Sequence, residues 1–147
     1  MNNFESRVEA EQKVAEALFG VCSQIQDQWN EAILQHQAVW RISNSNMQVT
    51  LADGSQRDNL SLTQVTTLLD ELRDAVATPE HGTWMSLILT VRPDGQFKFK
   101  YNYDEKPDWN IEPSNESYIE DLEHYPRPFA EIPDWHPAKA LGSDAGK

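Results

Sequence analysis

The sequence predicts an α+β domain in which an antiparallel β-meander with a long central hairpin packs against an N-terminal helix and a middle helix. Three observations lead to this fold class. Two stretches of the 147-residue chain carry apolar residues at helical spacing. Several shorter stretches alternate apolar with polar residues, as half-buried strands do. Two Asp-Gly pairs, at 53–54 and 94–95, are typical of the turns that join such strands.

Three helices are expected. The first is amphipathic, with a possible kink at Gly20, and its apolar residues recur at steps of three, four or seven: Phe4, Val8, Ala15, Leu18, Cys22, Ile25 and Trp29. The middle helix is capped by Ser61 or Thr63 and ends at Thr78-Pro79, and its apolar stripe consists of Val65, Leu68, Leu69, Leu72 and Val76. A short third helix holds Tyr118, Ile119 and Leu122 after a cap at Ser114 or Asn115.

The strands are expected at about 33–41, at 47–51, in a short return at 56–59, and in the long hairpin from Trp84 to Tyr103. Residues 43–46, a Ser-Asn tract, are expected to form a turn. In the last strand the aromatic residues Phe97, Phe99, Tyr101 and Tyr103 share one face. We expect this face to form the core, and on full burial Phe99→Ala would cost about 3–5 kcal/mol.

Composition limits the classes of function. A net charge of -12 argues against binding to nucleic acid, whose phosphates need Lys and Arg, and permits a basic protein partner. A single Cys22 excludes an intrachain disulfide and a Cys-rich zinc site. No apolar run is long enough for a membrane span and the N-terminus is unlike a signal peptide, so we expect no membrane association and a cytoplasmic location. We expect one domain over residues 1–141 and a disordered tail at 142–147.

The common catalytic motifs are missing from the sequence. There is no phosphate-binding glycine loop, nucleophile elbow or His-containing metal motif. Asp104, Glu105 and Asp108 could bind a cation, but they lack the glycine and terminal Glu of a calcium loop, and a carboxylate-dependent hydrolase would need a pocket around Asp104 and Asp108. We therefore predict that the protein is not an enzyme and has no catalytic residues, no cofactor and no metal.

The segment from Asp104 to Asp134 carries most of the charge. It holds ten acidic residues against Lys106 and Arg127. Arg127, between two prolines, is expected to hold an acidic loop through charge-assisted hydrogen bonds. The segment also contains Trp109, Tyr118 and Tyr125, and Tyr103 and Trp135 flank it. Aromatic residues with acidic neighbours are typical of surfaces that bind a basic protein.

Several of these stretches resemble a known family. They are Gly82-Thr83-Trp84-Met85-Ser86, the run from Phe97 to Trp109, and Tyr125-Pro126-Arg127 with Ile132-Pro133-Asp134-Trp135. Together they resemble the YezG-like immunity proteins, whose relatives include domains encoded beside, or fused to, bacterial polymorphic toxins, among them NAD-glycohydrolase toxins. The similarity extends from about Trp29 to Trp135 and is dense only in the hairpin and the segment after it. Pro128 is a departure, because family members commonly carry an acidic residue after Tyr-Pro-Arg.

The resemblance implies an immunity protein that binds and neutralises a cognate toxin domain of the nuclease or NAD-glycohydrolase type. An acidic surface fits a nuclease toxin, which is usually basic in order to hold nucleic acid. The alternative is an accessory domain that binds a protein without inhibiting it. The residues expected to contact the partner are Asp104, Glu105, Asp108, Trp109, Glu112, Tyr118, Glu120, Asp121 and Glu123.

Overall fold

The structure, a computed structural model, describes residues 3–58 and 60–140, so the predicted tail at 142–147 lies outside the described residues. The elements in chain order are α1 (Asn3–Ser23), β1 (Trp29–Val39), β2 (Ile42–Leu51), β3 (Gln56–Arg57), α2 (Thr63–Ala75), β4 (Ser86–Val91), β5 (Phe97–Asn102) and α3 (Asn115–His124), followed by a 3₁₀ turn (Phe129–Glu131). The predicted α+β class, with an N-terminal and a middle helix, is confirmed.

The five strands form one antiparallel sheet in the order β3-β2-β1-β4-β5. The long hairpin of β4 and β5 therefore lies at one end of the strand order, and β1 rather than the hairpin is central. The burial of β1 agrees with a central position, because from His36 onward it is buried at every residue, on both faces. Alternation along a strand identifies the strand, but it does not say which neighbours the strand will have.

Residue contacts divide the chain into two compact units. The first unit consists of Met1–His36, Ser45–Val76 and Leu87–Lys100, and the second of Gln37–Asn44, Ala77–Ser86 and Tyr101–Lys147. The single domain over residues 1–141 stays a prediction.

The core of the first unit is aliphatic, and α1 and α2 pack against each other within it. Its fully buried side chains include Val14, Leu18, Cys22, Leu34, Val49, Val65, Leu69, Leu72 and Leu89. Helix α1 continues past Gly20 without a break and ends at Ser23, so Trp29 begins β1 instead of closing the helix. The Trp29 ring still meets α1, edge-on to Phe19 with ring centroids 5.9 Å apart. Val8, predicted on the apolar stripe, is 42% exposed.

The turn between β1 and β2 is tighter than the sequence suggested. Residues 43–46 belong to β2, and the chain reverses at Trp40 and Arg41. Arg41 takes the left-handed backbone conformation, with φ of 66°, which a non-glycine residue adopts at a cost of about 1–2 kcal/mol. A Ser-Asn tract favours a turn locally, but strand pairing overrides that preference.

The aromatic face of β5 is not the core, which corrects the sequence-based expectation. Phe97 is 42% exposed, and Phe99 and Tyr101 are only half-buried. Strand β5 is an edge strand, so its side chains have a neighbouring strand on one side only. The buried positions of β4 are the aliphatic residues Leu87, Leu89 and Val91.

This difference in burial predicts the result of two truncations. Leu89→Ala should lower the free energy of unfolding by about 2–5 kcal/mol, because Leu89 is fully buried. Phe99→Ala should lower it by only about 1–2 kcal/mol, because the ring is half-buried in the folded protein and truncation removes only a small buried apolar area. Urea unfolding of both variants and the wild type measures the two losses. A larger loss for Phe99→Ala than for Leu89→Ala would contradict this assignment of the core.

His36 is a buried titratable group in the first unit, 1% exposed, with Nδ1 at 2.5 Å from Ser45 Oγ. Burial lowers the pKa of His36 to about 4, and the positive charge of Arg73 acts in the same direction. The imidazole is therefore neutral in the folded protein at pH values where an unfolded chain, with a His pKa near 6.5, already binds a proton.

Acidification should accordingly destabilise the protein through His36. Between about pH 6.5 and pH 4, the His36 side chain binds a proton in the unfolded state but stays neutral in the folded state. The free energy of unfolding therefore falls as the pH is lowered through this range. The loss attributable to His36 is about 2–3 kcal/mol. Urea unfolding at pH values from 7 to 4.5 measures how far the free energy of unfolding decreases on acidification. The decrease should be smaller in His36→Gln than in the wild type by roughly this amount. His81→Gln, at a histidine with a 65% exposed side chain, is the control and should follow the wild type.

Candidate partner-binding site

The predicted site residues all fall in the second unit, along the chain that leaves β5. Residues 103–112, here called the acidic loop, connect β5 to the N-terminus of α3. Within it Asp104, Glu105, Asp108 and Glu112 are exposed, Trp109 is half-buried and Pro107 is buried. The loop has no helix or strand of its own, so side-chain contacts must hold it in place.

Asn102, the last residue of β5, fixes the start of the acidic loop. Its Oδ1 accepts hydrogen bonds from the N–H groups of Asp104 (3.3 Å) and Glu105 (2.9 Å). Its Nδ2 donates to the Glu105 carbonyl (2.8 Å) and to Ser86 Oγ (2.9 Å). The alternating pattern of β5 does not reveal this role of Asn102. The signal that could have identified it is an Asn at the point where a strand ends, since Asn side chains commonly bond to the backbone two residues further on.

Three more side chains hold the backbone carbonyls of the loop. Arg127 Nη1 donates to Tyr103 O (2.7 Å). Trp135 Nε1 donates to Asp104 O (2.7 Å). Gln37 Nε2, from β1, donates to Asp108 O (2.5 Å). Because these contacts are made to backbone carbonyls, the loop is fixed while most of its acidic side chains remain in solvent.

Arg127 also binds one of the carboxylates. Its Nη2 donates to Asp104 Oδ1 at 2.6 Å, and the arginine side chain is only 7% exposed while that of Asp104 is 75% exposed. The prediction that Arg127 holds an acidic loop is thereby confirmed. The same contact compensates the charge of Asp104.

Gly82 leaves room for the Arg127 side chain because it has no side chain of its own. It lies at a positive φ of 66°, exchanges two backbone hydrogen bonds with Thr78, and passes so close to Arg127 that an added Cβ would stand 2.7 Å from Arg127 Cγ. The carbonyl of Tyr125 would lie 3.1 Å from the same Cβ. Both the backbone conformation and the contact therefore require glycine here.

The acidic residues of the predicted site differ in how far their charge is compensated. Glu112 pairs with Lys106. Glu105 and Asp108 are exposed, and their carboxylates have no ion-pair partner in the part of the chain that the structure describes. In α3, Glu123 is exposed and Glu120 half-buried.

Tyr118 and Asp121, which the sequence predicts as contact residues, are buried. Tyr118 is 2% exposed and Asp121 is 8% exposed, because α3 turns this side toward the C-terminal segment. The Tyr118 ring lies edge-on to Trp135 at 5.5 Å and to His136 at 5.6 Å between centroids. Burial raises the pKa of Tyr118, and the nearby indole of Trp109 offsets this only in part. Tyr118 thus packs against the C-terminal segment, and the contact of Tyr118 and Asp121 with a partner stays a prediction.

Helix α3 is anchored at both ends. Ser114 Oγ accepts a hydrogen bond from the Ser117 N–H at 3.2 Å, which confirms Ser114 as the predicted cap. At the other end, the His124 ring stacks on Trp40 with centroids 3.5 Å apart and an interplanar angle of 10°. The helix is thus tied to the turn between β1 and β2.

A groove of about 520 Å³ lies beside the acidic loop, and no pattern in the sequence predicts it. It is lined by Ile42, Ser43, Asn44, Trp109, Asn110, Ile111, Glu112, Pro113 and Ser114. These residues come from the start of β2 and from the end of the loop, two segments far apart in the sequence.

The described residues contain no group of three or more His, Cys, Asp or Glu side chains placed to hold a metal ion. None of the described helices has the length and apolarity needed to cross a membrane.

Substitution of Gly82 tests whether the close approach to Arg127 matters. Gly82→Ala should lower the free energy of unfolding by about 2–4 kcal/mol, because it combines an unfavourable φ with overpacking against Arg127 and the Tyr125 carbonyl. Gly54→Ala is the matched control, since Gly54 also has a positive φ (88°) but has no atom within 4 Å of the added Cβ. In this control, the free energy of unfolding should fall by only about 1 kcal/mol. If urea unfolding gives the same decrease in the free energy of unfolding for Gly82→Ala and Gly54→Ala, the Arg127 side chain accommodates the added methyl group.

Comparison with known proteins places the chain in a family. A search of curated proteins gave no match. The family described as "Immunity protein YezG-like" matches residues 47–134, more than half of the chain. The match includes β4, β5, the acidic loop, α3 and Arg127. The chain therefore belongs to the YezG-like immunity protein family.

Proposed function

We propose that the protein binds and neutralises a cognate bacterial toxin domain, and that the acidic loop forms part of the contact surface. Family membership supports a toxin as the partner. The choice of surface rests on the acidic loop, whose backbone is held by side chains of Asn102, Arg127, Trp135 and Gln37. Glu105 and Asp108 face solvent, and their carboxylates have no ion-pair partner within residues 3–58 and 60–140.

A fixed loop favours binding for an entropic reason. A flexible loop loses conformational freedom when a partner orders it, and this loss reduces the affinity. Hydrogen bonds from four side chains to the backbone have already ordered the acidic loop in the free protein. The carboxylates of Glu105 and Asp108 are thus presented at defined positions.

The charge of the surface favours a basic toxin domain. Uncompensated carboxylates attract Lys and Arg side chains and speed the encounter with a partner that carries them. A nuclease toxin presents such side chains to nucleic acid, and a glycohydrolase toxin that binds the phosphates of NAD needs positive charge at its active site. Both toxin classes fit, and inhibition would follow from covering the positively charged substrate site.

Charge reversal tests the surface. Glu105→Lys combined with Asp108→Lys should slow association with the toxin domain encoded beside this chain's gene by roughly tenfold or more at low salt, and should flatten the dependence of the association rate on ionic strength. The melting temperature should stay close to that of the wild type, because neither carboxylate has a partner to lose. Stopped-flow or biolayer kinetics at several salt concentrations measure the rate.

The control must change the net charge equally at another surface. Glu16→Lys with Asp58→Lys does so at two exposed acids of the first unit. Asp104 is left unchanged, since its reversal would also break the ion pair with Arg127. If both double variants associate alike, the acidic loop is not the contact surface. If the wild type binds the toxin but fails to protect cells that express it, the protein is a non-inhibitory accessory domain.

A further inference from the structure

The groove beside the acidic loop combines exposed apolar side chains with fixed walls. Ile111, in its lining, is 86% exposed, and Ile42 on the opposite segment is 36% exposed. An isoleucine at such a high exposure gains nothing for the fold from its apolar side chain. Trp109 contributes a half-buried indole to the same lining.

Both walls of the groove are held in place. Ile42 directly follows the Trp40-Arg41 turn, and Trp40 is stacked on His124 of α3. The other wall ends at Ser114, which caps the same helix. Pro113 is buried next to it. Helix α3 therefore connects the two walls, and the groove exists before any partner arrives.

The charges around the groove indicate what could occupy it. No Lys or Arg is among the residues that line it; Arg41 precedes Ile42 but is not part of the lining. Glu112 lies in the lining but is paired with Lys106. Asp108, the neighbour of Trp109 in the chain, is exposed and has no ion-pair partner among the described residues. An apolar depression with acidic neighbours is complementary to an apolar side chain with basic neighbours.

We propose that the toxin domain inserts one apolar side chain, flanked by Lys or Arg, into the groove between Ile42 and Ile111, and that this contact determines how long the complex lasts. The inference rests on the proposed function and adds to it the chemistry of the partner's contact segment. It also separates two roles: Glu105 and Asp108 speed association, and the groove slows dissociation. Desolvated apolar contacts near the centre of an interface dominate its affinity, whereas charges at the rim govern the rate of encounter.

The test measures dissociation of the full chain from the toxin domain encoded beside its gene. Ile111→Ser should raise the dissociation rate by about 30-fold or more, and Ile42→Ser by about tenfold, with association rates changed less than about threefold. The matched control is Ile88→Ser, because Ile88 is also a strand isoleucine, is 37% exposed and does not line the groove. Its dissociation rate should stay within about twofold of the wild type. Melting temperatures of all variants establish that they are folded.

The possible outcomes separate the two proposals. If the wild type does not bind the toxin domain, the proposed function fails, and the groove proposal fails with it. If the wild type binds but Ile111→Ser and Ile42→Ser dissociate no faster than Ile88→Ser, the groove proposal alone is overturned. If Ile111→Ser and Ile42→Ser slow association and leave dissociation unchanged, the groove belongs to the encounter surface, and its assignment as the anchor is wrong.

Discussion

The candidate binding surface depends on one set of interactions, the side-chain hydrogen bonds that hold the backbone of the acidic loop. A loop with this many carboxylates would repel itself if nothing fixed it. Arg127 counters this at Asp104 and at the Tyr103 carbonyl, from a side chain that is almost entirely buried. Asn102 and Trp135 bind the neighbouring backbone groups. The consequence is that negative charge is concentrated on a surface whose shape is set by neutral and positive groups beneath it.

The strand and helix types could be predicted from the sequence, because hydrophobic periodicity is a local property. The order of the strands could not, and this explains the error over the hairpin. The aromatic row of β5 has the alternation of a core strand, yet at the edge of the sheet Phe97 is left exposed. A similar limit applies to the turn at Arg41. The local Ser-Asn signal pointed a few residues downstream, and the pairing of β1 with β2 decided the position.

A related limit applies to the candidate site. Counting acidic residues indicates a candidate surface, but only the structure shows which charges are compensated. In the acidic loop, Asp104 and Glu112 are paired, whereas Glu105 and Asp108 have no ion-pair partner among the described residues; in α3, Asp121 is buried. Asn102 and Gln37 act on the loop through its backbone, a role that composition does not reveal. The groove was missed because its walls come from segments about seventy residues apart.

The position of Trp135 has a consequence for the order of events during synthesis. Two of the groups that hold the acidic loop, Arg127 and Trp135, come well after it in the chain. Domains fold from the N-terminus as they emerge from the ribosome, and many residues leave before the last contacts can form. The acidic loop therefore cannot reach its fixed conformation until the chain has been made at least as far as Trp135. A nascent chain that ends before Arg127 would contain every acidic residue of the loop and still lack two of the side chains that fix its backbone.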